Sequence, residues 1–377
     1  MKASQHLRKR AGLYILGSLY PYATGGMEIF NYYFLNHQLA VSADQIYYLG
    51  EKGTDAGNGH FFSMKKRWPV KLFYPFQFFF SIYKVRKLVS YAYLSYAEQS
   101  WIIAYAQSLT LRFFSVPYII TIHWGKEPDW KFSYPYLSYF RHAHAVIGVS
   151  EHICVAFKKT IPDQNFTFIP PLIPFKQAPR TKSELRELMG FKQDDHILLF
   201  VGSLKAMKNP DKVVESLRII GKDILENLHI QLVFAGNGDL ESEIRGKIAG
   251  YGLTSFIRVE GLVKREFVPD YYKIADAYII SSDYEGTSLS LLEAMYNRLA
   301  IIASNAPGIN NMVKHEYSAL LYETMDPAAL ADSIKRIFGD KVLAEQLANR
   351  AFEDFNLKYS YQDMINKYKA VFSSVSF

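Results

Sequence analysis

Short apolar runs alternate with helix-spaced apolar positions along the 377 residues of this chain. Strands buried on both faces read as continuous hydrophobic stretches, so the alternation predicts a parallel α/β architecture. In the first half, Gly12–Gly17, Tyr118–His123 and Ala145–Val149 read as strands. A helix is expected over Glu28–Leu39, and another opened by Pro75 and running towards Ser90. Pro170, Pro171, Pro174 and Pro179 then cluster as a linker. Beyond it the pattern restarts with a strand at Ile197–Val201. Asn209 and Pro210 follow as N-cap and first helical residue, and Val213, Val214, Leu217 and Ile220 give an apolar helix face. Further strands are expected at Gln231–Ala235, Ile257–Val259, Ala277–Ser281 and Ala300–Ala303. Ligands of open parallel sheets bind at the carboxyl ends of the strands, so two such units would enclose a cleft as the default site.

The length favours two domains over one core. With 49% hydrophobic and 21% charged residues, the composition is that of a globular chain, not a disordered one. The formal net charge of +7 implies an anionic partner. Seven cations, Lys65, Lys66, Arg67, Lys71, Lys84, Arg86 and Lys87, fall between Ala56 and Ala97, where there is no acidic residue. They are interleaved with Trp68, Phe73, Tyr74, Phe76, Phe78, Phe79, Phe80 and Tyr83, while Gln77, Ser81 and Lys84 recur at helical spacing. The window, 61–96, reads either as domain core with a solvated rim or as a surface for an anionic membrane. Nucleic acid is not expected, because no recognition motif accompanies the charge. The single Cys154 sits in an apolar run and fits a reducing compartment. No stretch is long and apolar enough to span a bilayer, and the apolar run after Arg8, Lys9 and Arg10 is too short for a leader. The expected location is the cytoplasm, or the inner face of the cytoplasmic membrane.

The chemistry concentrates in Ser281-Ser282-Asp283-Tyr284-Glu285-Gly286-Thr287-Ser288-Leu289-Ser290-Leu291-Leu292-Glu293-Ala294-Met295. A strand ends, Glu285 stands in a short loop, and a helix is expected from Gly286 or Thr287. The first amides of a helix lack internal partners and sit at its positive end, which suits a diphosphate. Glu293, about two turns in, could accept hydrogen bonds from a sugar diol. Taken singly, Glu285 reads equally as a capping carboxylate and Glu293 as a solvated helix residue.

The frame S-x-x-E-G-x-x-x-x-x-L-E-A-M resembles the signature of retaining glycosyltransferase family 4 (glycosyl transferases group 1), and the resemblance runs strongly from Ile197 to Val371 and weakly before it. It implies the GT-B fold: two Rossmann-like parallel-sheet domains facing a central cleft. The expected divisions are an acceptor-side domain over 1–172, a nucleotide-sugar-binding domain over 173–357, and a final helix over 358–377 packed back on the first. The resemblance implies that Glu285 contacts the transferred sugar and that Glu293, beside Gly286, Thr287, Ser288 and Leu289, holds the nucleotide ribose. Lys208 matches the lysine that neutralises the donor diphosphate, and Ser203 stands where the family has an arginine. Gly25 and Gly26 match its glycine loop, His123 its strand-end histidine, and Leu262 and Val263 the segment whose backbone reads the base. Pro307-Gly308 replaces a glycine pair, and Asn311 stands where a glutamate is usual. The implied activity is transfer of a sugar from a UDP- or GDP-linked donor to a saccharide or lipid-linked acceptor, with retention, in cell-envelope polysaccharide, lipopolysaccharide or glycolipid synthesis. No metal or other cofactor is expected, since no Asp-x-Asp pair or Cys/His cluster has ligand spacing. A catalytically silent, membrane-docked sugar-nucleotide-binding subunit is the alternative. A nicotinamide oxidoreductase is disfavoured because no G-x-G-x-x-G follows a first strand.

Overall fold

The computed structural model describes residues 11–15, 29–35, 45–50, 60–63, 70–96, 101–123, 134–171 and 173–375. The chain divides into two compact units, Met1–Pro174 together with Tyr361–Phe377, and Phe175–Ser360.

The first unit is built on a seven-stranded parallel sheet of β1 (Ala11–Ile15), β2 (Gln45–Gly50), β3 (His60–Ser63), β4 (Tyr91–Tyr96), β5 (Tyr118–Ile122), β6 (Ala145–Gly148) and β7 (Phe166–Phe168), in the order β3-β2-β1-β4-β5-β6-β7. Successive strand residues face opposite sides, so one sheet feeds two cores. Leu13, Ala92, Leu94, Ile120 and Val146 meet α2 (Val70–Val85), α3 (Trp101–Phe113), α4 (Tyr134–Arg141) and α5 (Glu151–Thr160). On the other face, Tyr14, Tyr91, Tyr93, Ile119 and Ile147 meet α1 (29–35) and α14 (Tyr361–Ser373). That second core is an aromatic seam. Phe34 stacks on Tyr93 with centroids 4.5 Å apart and meets Tyr368 edge-on at 5.2 Å, while Phe372 lies 5.3 Å from Tyr91.

Two expectations for α2 are corrected. The helix starts at Val70, so Pro75 lies inside it and does not open it, and it ends at Val85, short of Ser90. An interior proline forfeits an amide hydrogen bond, and core anchoring by Phe78, Ile82 and Val85 carries that cost. Gln77 and Ser81 are half-buried flanks, and aromatic side chains occupy the outer face instead.

The second unit repeats the plan with six parallel strands in the order β10-β9-β8-β11-β12-β13. They are β8 (His196–Val201), β9 (Ile230–Ala235), β10 (Ile257–Gly261), β11 (Ala277–Ile280), β12 (Ala300–Ser304) and β13 (Leu320–Tyr322). One face packs α6 (Lys182–Leu188), α10 (Val268–Ile274), α11 (Leu289–Tyr296) and α13 (Lys341–Lys358). The other packs α7 (Pro210–Ile220), α8 (Lys222–Asn227), α9 (Glu241–Gly250) and α12 (Pro327–Gly339). From β8 the chain progresses outwards to β10, and from β11 in the opposite direction to β13. The strand order therefore reverses between β8 and β11, which pair directly. Such a reversal parts the loops at the carboxyl ends of the two strands and leaves a crevice there.

Candidate functional site

Lys208 leaves β8 and Glu285 leaves β11, so both stand at this reversal. Side chains stitch the two loops together. Asn209 adopts a left-handed φ of 47° ahead of Pro210. It occupies the N-cap position, but its side chain makes no cap bond. Its Nδ2 instead donates to the Ser281 carbonyl at 2.9 Å and to Asp283 Oδ1 at 2.6 Å. Ser281 Oγ donates back to the Lys208 carbonyl at 2.6 Å, and the Asp283 amide to the Met207 carbonyl at 3.0 Å. The result is an ion pair between Lys208 Nζ and Glu285 Oε1, to which Ser282 Oγ also donates at 2.8 Å.

A third loop buttresses Glu285 from behind. Its amide donates to the Pro307 carbonyl at 3.0 Å. Gly308, at φ 85°, lies so close that an added Cβ would meet the Glu285 carbonyl oxygen at 2.0 Å. Only glycine combines that φ with that approach. Asn311, nearby in sequence, is exposed. The loop holding Ser203 is pinned in the same manner. The Leu204 amide donates to the Asn237 carbonyl at 2.9 Å, and a Cβ on Gly238 would strike the Leu204 carbonyl at 2.4 Å. A Cβ on Gly236 would likewise strike the Gly202 carbonyl at 1.9 Å, so backbone packing accounts for both glycines, and Ser203 sits half-buried at the bend they support.

Helix α11 begins later than expected. Ser288 is its N-cap, its Oγ accepting from the Leu291 amide, and Leu289 is its first residue. Gly286 and Thr287 belong to the approach loop, so Glu293 lies little more than one turn into the helix, not two. Serine competes with the backbone for amide protons, which favours it as a cap over the glycine and threonine before it. Glu293 is 7% exposed and forms an ion pair with Arg265. Burial, and then the nearby Glu293 charge, hold the Tyr272 phenol well above its ordinary range. Arg265 lies on the turn Arg265–Phe267 after β10, just past the exposed Leu262 and the half-buried Val263. It was not singled out from the sequence; its position three residues beyond Leu262 was the available signal.

In the first unit, His123 follows β5 directly. Its ring lies 4.6 Å from that of Phe30, its Nε2 is buried without a hydrogen-bond partner, and burial pushes the imidazole down to about 3. It is therefore neutral near pH 7. Gly25 and Gly26 lie outside the described residues. Among the described residues, no group of three His, Cys, Asp or Glu side chains could hold a metal ion.

The second unit also has a pocket of about 700 Å³ at the opposite, amino-terminal edge of its sheet, lined by His196, Asp276 and Ala300. Its polar groups serve the fold. Asp276 accepts from Lys182 Nζ, Arg186 Nη2 and the Ile197 amide at 2.6–2.7 Å. The functional candidates gather at the other edge.

Residues 181–354 match the family model for glycosyl transferases group 1. An uncharacterized glycosyltransferase of Methanocaldococcus jannaschii is 28% identical over 192 residues, 50% of this chain and 48% of that protein. The UDP-Gal:alpha-D-GlcNAc-diphosphoundecaprenol alpha-1,3-galactosyltransferase of Escherichia coli is 29% identical over 184 residues, 47% of this chain and 46% of that one. The chain thus spans about half the length of these relatives. Among solved structures, HepE of Anabaena in complex with UDP and glucose superposes with a TM-score of 0.78 at 16% identity, covering 97% of this chain and 100% of that one. Sucrose-phosphate synthase of Thermosynechococcus elongatus does so with a TM-score of 0.77 at 18% identity, covering 97% and 99%. Residues 181–354 of the second unit are thus similar to glycosyl transferases group 1, and the chain has the GT-B fold of its structural neighbours.

Proposed function

We propose that this chain transfers a sugar, with retention and without a metal, from a nucleotide-diphosphate donor to a saccharide or lipid-linked acceptor in cell-envelope polysaccharide or glycolipid synthesis. The observation that carries the reading is the Lys208–Glu285 pair at the β8/β11 reversal, with Glu293 one turn into the adjoining helix. A diphosphate carries more negative charge than one carboxylate and competes for the Lys208 ammonium. Its arrival releases Glu285 towards the sugar. As the bond from the anomeric carbon to the diphosphate oxygen breaks, its electron pair stays on that oxygen, where Lys208 stabilises it. The acceptor hydroxyl bonds to the same carbon from the face the diphosphate leaves, and its proton passes to the departing diphosphate oxygen. Glu293, fixed by Arg265, offers acceptor oxygens to the ribose diol.

UDP is the preferred nucleotide. The name of the E. coli relative specifies UDP-Gal and a diphosphoundecaprenol-linked acceptor, and HepE has been solved with UDP and with UDP-glucose. The decisive measurement is UDP-sugar turnover alongside UDP binding. Glu285→Gln is expected to lower turnover by about 10²–10³ with little change in UDP affinity, whereas Glu293→Ala weakens UDP binding. Turnover persists in excess EDTA. Wild-type kinetics in both variants, or strict dependence on added Mg²⁺ or Mn²⁺, refutes the assignment. UDP binding with no turnover on any acceptor points to the silent sugar-nucleotide-binding subunit.

A further inference from the structure

The outer face of α2 and α3 is apolar where a surface helix is ordinarily polar. On α2, Phe78, Ile82 and Val85 point into the core at spacings of four and three. Phe76, Phe80 and Tyr83 repeat those spacings on the outside, with Phe76 65% and Phe80 60% exposed. On α3, Ile102, Leu109 and Phe113 lie seven and four residues apart on one exposed stripe, and Phe113 is 72% exposed. The stripes are continuous, because Phe79 lies 5.9 Å from Phe80 and 5.7 Å from Phe113.

The described charges on α2, α3 and the turn after α2 have one sign. Lys84, Lys87 and Arg112 are exposed at its edge, and the Arg86 guanidinium lies 3.7 Å over the Tyr83 ring. No acidic residue occurs between Ala56 and Ala97, nor between Gln99 and Gly125. Lys65, Lys66, Arg67 and Lys71, also expected to contribute, fall where no side chain is described.

We propose that this face docks on the surface of an anionic lipid bilayer. Aromatic rings settle at the headgroup level and reach the acyl boundary, while the surrounding cations sit among lipid phosphates. Among the described residues no helix is long and apolar enough to cross a membrane, so the contact is peripheral. A second copy of the chain fits poorly. A symmetric interface would bring the cations Lys84, Lys87 and Arg112 of both copies together, and among the described residues α2 and α3 carry no carboxylate to neutralise them. The docking stands on the first unit alone and does not depend on sugar transfer.

The test is cosedimentation of the full chain with vesicles of phosphatidylcholine alone or enriched in phosphatidylglycerol. Binding is expected on the anionic vesicles, to weaken with salt, and to fall on the order of a hundredfold in Lys84→Glu/Lys87→Glu/Arg112→Glu. Phe76→Ser/Phe80→Ser/Phe113→Ser is expected to abolish it, with the thermal midpoint of each variant showing that the fold persists. As an independent readout, Phe80→Trp should blue-shift on anionic vesicles and be quenched by brominated lipid. Equal partitioning onto neutral and anionic vesicles, or none onto either, overturns the proposal. So does a concentration-dependent dimer that the aromatic triple variant dissolves, or retention of a single-stranded oligonucleotide in place of vesicles.

Discussion

At the scale of single residues, the Arg265–Glu293 ion pair and the buried His123 imidazole each contribute a separable energy. Arg265→Met leaves the Glu293 carboxylate 7% exposed and unpaired by that cation, which is expected to cost about 2–3 kcal/mol in urea unfolding. Adding Glu293→Gln should return most of it. A double variant as unstable as the single would mean that packing, not charge, supports the pair. His123 offers a prediction in pH. Its ordinary value is 6.5 and burial lowers it to about 3. As pH falls through that window the unfolded chain takes up a proton that the folded chain refuses. Stability therefore declines towards acid, by at most about 1.4 kcal/mol per pH unit from this group. His123→Gln should flatten the slope of the urea midpoint between these pH values relative to wild type; parallel profiles would contradict the assignment.

At the scale of elements, Gly308 is the position where backbone shape and the candidate site meet. Gly308→Ala drives a methyl group into the Glu285 carbonyl at a positive φ. It is expected to destabilise by about 1–3 kcal/mol and to depress turnover further than that loss of folded protein explains. Turnover per folded molecule equal to wild type would show that the loop absorbs the methyl. This element also marks where sequence reasoning stops. The strands were legible because buried parallel strands are unbroken apolar runs, and Tyr118–Ile122 and Ala277–Ile280 are each one residue shorter than expected. The glutamate frame was legible because its spacing is local. Asn209 read as a simple cap, because the partners of its side chain lie more than seventy residues away. Arg265 follows a strand, where a basic residue is ordinarily solvated, so its nearness to Leu262 was visible in the sequence but its pairing with Glu293 was not. Pro75 misled for the opposite reason: a strong local rule gave way to tertiary anchoring of α2.

At the scale of the whole molecule, α14 closes one side of the first unit. Phe372 packs against Tyr91 and Tyr93, and Tyr368 is fully buried beside Phe34. Phe372→Ala is expected to cost about 3–5 kcal/mol, confined to the first unit, so that a calorimetric trace shows one transition moving down while the other stays. A shift of both together would mean that the units unfold as one body. The same arrangement sets an order of manufacture on the ribosome. Every residue of the second unit, 175–360, is translated between the sheet of the first unit and the helix that covers it. At about 5–20 residues per second, the aromatic face of Tyr14, Tyr91 and Tyr93 waits roughly 10–40 s for its cover. The later-made half can finish folding first. For that interval the nascent chain presents a greasy, unfinished surface to chaperones and proteases, and a stall within 175–360 would leave it exposed for as long as the stall lasts.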